Sequence, residues 1–251
     1  MIKAKASIFL SDAHLNDLDE DTEAFHSLMR NAWRQGVEVF LLGDIFDLWF
    51  GKKTLTFPFQ EKVIAEIASL SERGLAVHYI EGNRDFFLVG SWVEKYFKNI
   101  AERELAVQIG GKKILLLHGD TVNRHDIQYR FWKSLSKNSV AYSLFSAIPA
   151  GIALPLARNL EGKLKKTNPR FRYNFPEDEG RTFTSHATKK GYDTVIIGHY
   201  HVEKVITVDE NERDTMLVCL PMWKENRRYY YINEAGGSGF RKFIPDTPLV
   251  E

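Results

Sequence analysis

Hydrophobic positions along this chain fall into two spacings, and each predicts its own kind of element. The apolar runs Ala6–Leu10, Val37–Leu42, Leu75–Ile80 and Thr194–Ile197 are continuous and short, as expected of strands buried on both faces. Between the first three, Asp21–Arg34 carries Phe25, Leu28, Met29 and Ala32 at helical spacing, and Phe59–Glu72 carries Val63, Ile64, Ile67 and Leu70. Strand–helix–strand–helix–strand order predicts parallel pairing through crossover helices. Leu105–Ile109 and Lys113–Leu117 flank Gly110-Gly111, a hairpin signal. Val202–Val208, Thr215–Leu220, Arg228–Ile232 and Phe240–Ile244 are joined by polar or Gly-rich turns and predict an antiparallel set. The expected class is α/β, with mixed sheets packed between helices.

Residues 125–190 break this rhythm and read as a lobe inserted into a single domain of 251 residues. Within the lobe, Val140–Ala157 has no charged residue, but Pro149, Gly151 and Pro155 divide it into short helical pieces rather than a membrane span. No apolar run near the start is long enough for a signal peptide, so a cytoplasmic protein is expected. Hydrophobic residues make up 44% and charged residues 27%, ordinary for a globular chain. Net charge is +1, so no global field draws the protein to nucleic acid, and attraction to any polyanion must be local. A single cysteine, Cys219, excludes an internal disulfide and a Cys-rich zinc site.

Five polar clusters follow apolar runs, where strands should end: Asp12-Ala-His14, Gly43-Asp44, Gly82-Asn83-Arg84-Asp85, His118-Gly119-Asp120 and Gly198-His199-Tyr200-His201. The C-terminal edge of an α/β sheet is where ligands bind. Taken singly, Asp-x-His and Gly-Asp are usually turns, and His-x-His is usually solvated or structural. Together they supply Asp12, His14, Asp44, Asn83, His118, His199 and His201, an oxygen and imidazole donor set that suits manganese, iron or zinc. Seven donors are too many for one ion and suit two, with Asp44 lending an oxygen to each. In an extended segment, positions i and i+2 face the same way, so Asp12 with His14, and His199 with His201, are expected to grip together. Gly43, Gly82, Gly119 and Gly198 are expected to let the backbone turn tightly beside each donor. Two such ions clamp a phosphoryl group and generate hydroxide near neutral pH. His26, His78 and His186 lie outside the clusters and are read as structural.

These blocks, in this order, closely resemble the calcineurin-like metallophosphoesterases, whose motifs run D-x-H, G-D, G-N-[HR]-D, H-G and G-H-x-H. The resemblance spans Asp12 to His201. It implies a four-layer α/β/β/α sandwich with an inserted helical cap. It also implies one cation on Asp12, His14, Asp44 and His201, and a second on Asp44, Asn83, His118 and His199. Further stretches resemble a branch that cleaves the lipid-linked nucleotide sugar UDP-2,3-diacylglucosamine, in lipid A synthesis, normally with manganese. They are Gly43-Asp44-Ile45-Phe46, Trp49-Phe50-Gly51, Gly82 to Leu88, and His118-Gly119-Asp120-Thr121 followed by Asp126 and Tyr129. That branch releases UMP and 2,3-diacylglucosamine 1-phosphate. The chain departs from it after His201, where Val202-Glu203 stands in place of Arg-Pro.

Position 84 bears on this independently. Arg84 cannot donate a proton near neutrality, but it can stabilise charge on phosphoryl oxygens. A sugar phosphate leaving from a pyrophosphate needs no proton, so Arg84 and Asp44 are the candidate catalytic residues. The alternative for Arg84 is an ion pair with Asp85 at the surface. Arg158–Arg172 holds six basic residues against Glu161 alone, directly after the apolar stretch. Such a pairing suits an amphiphile with phosphates, or an anionic inner-membrane face, as well as a plain solvated surface. Asn83, Arg84, His199, Asp126, Tyr129, Arg158, Lys163 and Lys166 are therefore candidate substrate contacts. The competing readings are a related enzyme acting on a soluble phosphodiester or phosphomonoester, and a non-catalytic scaffold; the full donor set argues against the scaffold. Oligomeric state is not legible.

Overall fold

The computed structural model describes residues 1–123, 175–210 and 212–250, with 143, 147–149, 151, 152, 155 and 159. Fourteen strands are found among them: β1 Ile2–Lys3, β2 Ser7–Leu10, β3 Glu38–Leu41, β4 Trp49–Phe50, β5 Val77–Ile80, β6 Asp85–Phe86, β7 Asn99–Ala101, β8 Glu104–Ile109, β9 Lys112–Leu117, β10 Thr194–Ile197, β11 Lys204–Glu210, β12 Arg213–Cys219, β13 Arg228–Ile232 and β14 Ser238–Lys242. The α-helices whose full extent is described are α1 Glu20–Gln35, α2 Pro58–Glu72, α3 Glu177–Lys189 and the single turn α4 Trp223–Asn226.

Both crossover helices begin and end where local chemistry directs. The Asp19 carboxylate accepts from the backbone N–H groups of Asp21 and Thr22 to start α1, and Gly36 closes it in the left-handed conformation. Pro58 opens α2, and Gln60 reaches back to accept from the Phe57 N–H at 3.0 Å.

Two six-stranded mixed sheets result. One runs β14-β13-β2-β3-β5-β7, with β2, β3, β5 and β7 parallel as the crossover order predicts. The other runs β1-β8-β9-β10-β12-β11, with β8–β9 an antiparallel hairpin and β9, β10 and β12 parallel. Alternation within strands builds the layers. Phe9, Phe40 and Ile80 point toward Ile114, Leu116, Ile196 and Val218 of the facing sheet. Their neighbours Ile8, Leu10, Val39 and Leu41 turn outward onto Phe25, Leu28, Met29, Val63 and Ile67 of α1 and α2. On the far side Leu115, Leu117, Val195 and Ile197 pack with Ala187 and Phe183 of α3. Each such buried side chain contributes roughly 1.5–3 kcal/mol relative to exposure. The order is helices, sheet, sheet, helix.

Two expectations change. The four C-terminal strands do not form one antiparallel set. They form two hairpins, β11–β12 in one sheet and β13–β14 in the other, and β12 adds parallel to β10. Periodicity gives each strand but carries no information on a non-local partner. Secondly, α3 lies within the stretch read as an insertion, yet it is the outer layer of the second sheet. The apolar stretch 140–157 and the basic run 158–172 lie, but for scattered positions, outside the described residues. No helix among the described residues is long and apolar enough to cross a membrane.

Candidate metal centre

The C-terminal ends of β2, β3, β5, β9 and β10 meet at one edge of the two sheets, and all five polar clusters arrive there. His118 at the end of β9 faces the Leu42 carbonyl at the end of β3, Nδ1 to O 2.7 Å. A Cβ on Gly198 would stand 2.3 Å from Ser11 Oγ, and one on Gly82 would stand 2.2 Å from Asp44 Oδ1. These two glycines are required by close approach. Gly43 and Gly119 do adopt positive φ.

The expected alternation is not how the donors converge. Asp12, His14, Asp44, His199 and His201 all adopt left-handed backbone, with φ between 45° and 70°. That conformation costs a non-glycine residue on the order of 1–3 kcal/mol, and clusters of it mark functional sites. Backbone ties hold it: Asp12 N–H donates to Gly43 O and His14 N–H to Asp44 O, both at 3.1 Å, and His199 N–H donates to Asp12 Oδ2 at 2.9 Å.

All seven predicted donors are brought together. Donor atoms of Asp12, His14 and His201 lie within 4.8 Å of one another, as do those of Asp12, Asp44 and His118. Asn83 Oδ1 stands 2.9 Å from His118 Nε2 and 3.0 Å from His199 Nδ1. Asp12, rather than the expected Asp44, is common to the two compact groups. Asp44 is engaged by Arg84, whose backbone N–H donates to Oδ1 at 2.9 Å and whose Nε lies 3.5 Å from Oδ2.

The donor chemistry fits divalent cations. The Leu42 carbonyl accepts, so the partner pattern assigns the His118 proton to Nδ1 and turns the Nε2 lone pair inward. There it meets Asn83 Oδ1, another acceptor. Buried lone pairs facing each other are favourable only with positive charge between them. Protons compete for the same place. Burial opposes charge on His118, but Asp44, Asp12, Asp120 and the Leu42 carbonyl outweigh it and raise its pKa. Burial, then the neighbouring His118, press His199 down to about 4, leaving it neutral and able to ligate. Burial would lift Asp12, but His201, His118 and His14 override it and hold the carboxyl well below its usual range.

Arg84 is not at the surface. Its side chain is only 12% exposed and lies between Asp44 and Asp47, donating to Asp47 O at 3.1 Å. Asp85 instead turns inward: its Oδ2 accepts from Gly82 N–H at 2.7 Å, Tyr79 O–H at 2.9 Å and Asp44 N–H at 3.0 Å. Burial, then the Asp44 charge, push Asp85 up to about 7. Sequence reasoning missed Ser11, whose hydroxyl donates to Asp12 Oδ2 at 2.6 Å, and Asp47, 3.4 Å from His14 Nδ1. No spacing rule flags either; only their place beside a cluster could have. Asp126, Tyr129, Arg158, Lys163 and Lys166 lie outside the described residues.

A two-sheet sandwich with carboxylate, amide and imidazole donors at its strand ends is the architecture of metal-dependent phosphoester hydrolases. Residues 8–203 match the calcineurin-like phosphoesterase family, and the chain belongs to it. It is a hydrolase, and the fold implies divalent metal ions. Among curated relatives, the UDP-2,3-diacylglucosamine hydrolase of Aliivibrio fischeri (strain MJ11) is 26% identical over 217 residues, 86% of this chain and 90% of that protein. The protein of the same name in Azotobacter vinelandii (strain DJ / ATCC BAA-1303) is 27% identical over 93% of this chain and 96% of its own length. Among solved structures, an archaeal phosphodiesterase shares the fold with a TM-score of 0.50 at 14% identity, covering 95% of this chain and 99% of that one.

Proposed function

We propose that the chain cleaves the pyrophosphate of UDP-2,3-diacylglucosamine, releasing UMP and 2,3-diacylglucosamine 1-phosphate, with two divalent cations, manganese being the metal the family resemblance implies and iron or zinc the alternatives the donors also suit. One ion would be held by Asp12, His14, Asp44 and His201, the other by Asp44, Asn83, His118 and His199. When bound, such ions supply positive charge to phosphoryl oxygens and lower the pKa of water toward neutrality.

The observation that carries the reading is Arg84. It stands next to Asp44, at the motif position where many members of the family carry a histidine able to protonate an alkoxide leaving group. Its guanidinium stays charged at any working pH and can only stabilise negative charge. A phosphate leaving group, already anionic, matches that chemistry. Asn83 precedes Arg84 and lies 3.0 Å from His199 Nδ1, and both can orient the phosphoryl oxygens. Relatives that carry the substrate's name across nearly their whole length support the same choice. The lobe residues Asp126, Tyr129, Arg158, Lys163 and Lys166 would hold the acylated sugar phosphate, and an anionic inner-membrane surface would supply it.

The test is incubation of the manganese-loaded protein with UDP-2,3-diacylglucosamine in ¹⁸O-water. UMP should form and carry the label, since attack falls on the phosphorus next to uridine. Faster turnover of a cyclic nucleotide or a simple phosphomonoester would move the assignment to a soluble substrate.

A further inference from the structure

Asp47 belongs to no motif, yet it stands between the two halves of the candidate centre. Its side chain is nearly buried, 11% exposed. Oδ1 lies 3.4 Å from His14 Nδ1 and 3.7 Å from Arg84 Nη1. Oδ2 accepts from Asn16 Nδ2 at 3.1 Å, and the Asp47 carbonyl accepts from Arg84 Nη1 at 3.1 Å.

The backbone makes this placement rigid. Residues 44–47 run parallel to residues 14–15, with Leu15 N–H on Ile45 O at 2.9 Å and Asp47 N–H on Leu15 O at 3.2 Å. On the other side Trp49 N–H donates to Arg84 O at 2.9 Å. Asp47 is therefore carried on a segment clamped between the loop that bears His14 and the loop that bears Arg84.

Charge gives the placement a purpose. A guanidinium beside two dications is repelled, and a nearly buried one needs an anion. Asp44 cannot serve fully once its oxygens are drawn to cations. Among the described residues Asp47 is a second carboxylate close to Arg84, with Oδ1 3.7 Å from Nη1. On its other side Oδ1 lies 3.4 Å from His14 Nδ1, which makes no hydrogen bond among the described residues; the carboxylate charge favours the proton on that nitrogen and so leaves the Nε2 lone pair to ligate.

We infer that Asp47 is a positioning residue that holds both His14 and Arg84, and so couples one cation position to the stabilisation of the phosphoryl group. The inference rests on the two-cation reading above.

Asp47→Asn is the first test, because the amide keeps the shape and can still accept from Asn16. Titration with Mn²⁺ alone, followed by calorimetry, should show one of two affinities weakened about 10–100-fold, the usual cost of losing such a partner. kcat should fall by a similar factor with KM little changed. Asp47→Glu should recover most of both. Combined with Arg84→Ala, the loss in kcat should be less than the product of the single losses, since the two act together. Affinities and kcat of Asp47→Asn within twofold of the parent would overturn the inference. So would full additivity with Arg84→Ala together with unchanged Mn²⁺ binding. If the parent protein itself binds no Mn²⁺, it is the two-cation reading that fails.

Discussion

The same strands end in opposite ways at their two edges. At the N-terminal edge, Glu38 opens β3 beside His78 of β5. Glu38 Oε2 lies 2.9 Å from His78 Nε2, Asn99 Nδ2 lies 3.0 Å from His78 Nδ1, and Lys98 Nζ reaches Glu38 at 3.3 Å. Phe40 stacks on the imidazole at 4.2 Å. Donors there meet acceptors, and the backbone is ordinary strand. At the C-terminal edge Asp12 and Asp44 are buried in one compact group, imidazole and amide acceptors face each other, and five residues sit in left-handed backbone. The first edge is a polar network arranged for stability. The second is arranged for a charge that the protein alone does not supply, and is held there by the rest of the fold.

Chelation should break the contrast most. It should abolish hydrolysis, and added Mn²⁺ should restore it; Asp44→Ala should abolish it beyond restoration. Measurable turnover in either case would remove the metal-dependent reading. Arg84→Ala should lower the rate about 10²–10³-fold, the typical cost of losing one preorganised electrostatic stabiliser, with Mn²⁺ content near that of the parent. An unchanged rate would return Arg84 to a packing role.

At the other edge the sign of the effects reverses. Glu38→Ala should destabilise by about 1–3 kcal/mol, because it leaves the His78 donor buried without its acceptor, and should leave kcat unchanged. Denaturant midpoints and initial rates separate the two outcomes. Acid should titrate the edges in different windows in the chelated protein. His199 is held below its unfolded value of about 6.5, so its contribution is complete above that pH and fades as pH falls toward about 4. His118, raised above its unfolded value, contributes fully below about 6.5 and fades as pH rises through its folded value. Burial would lift Glu38, but His78 and Lys98 outweigh it and lower its pKa; its contribution stands above the unfolded value of about 4.5 and is lost below. Urea midpoints between pH 7 and 3 should show Glu38→Gln flattening only the acid end. Loss of the upper slope in that variant would contradict the assignment. The smallest effect should be Asp44→Asn in the chelated protein, a gain of roughly 0.5–2 kcal/mol from easing carboxylate crowding. A loss of thermal stability would show the site edge to be no less relaxed than the other.

Reading the chain alone recovered β2, β3, β5 and β10 and both crossover helices to within one or two residues, because burial on both faces writes itself as unbroken apolar runs. The seven candidate donors, which the structure brings near one another, were picked out because each stands at or shortly after an apolar run. The short strands β4 and β6 were not legible; two residues carry no period. His78, read as structural, lies at the opposite edge, and nothing local announced its pairing with Glu38, forty positions away.

Sequence by itself determined the long strands and helices, which residues could ligate, and that Arg84 cannot be an acid, since these are properties of side chains and of their spacing along one chain. Tertiary structure alone decided that β12 joins β10 while β13 joins β2. It also decided that the donors converge through left-handed turns rather than strand alternation, and that Asp47 and Asp85 brace Arg84 and Asp44. Those outcomes depend on which distant backbones come within hydrogen-bonding range, and that distance is fixed only when the two sheets close on a common core.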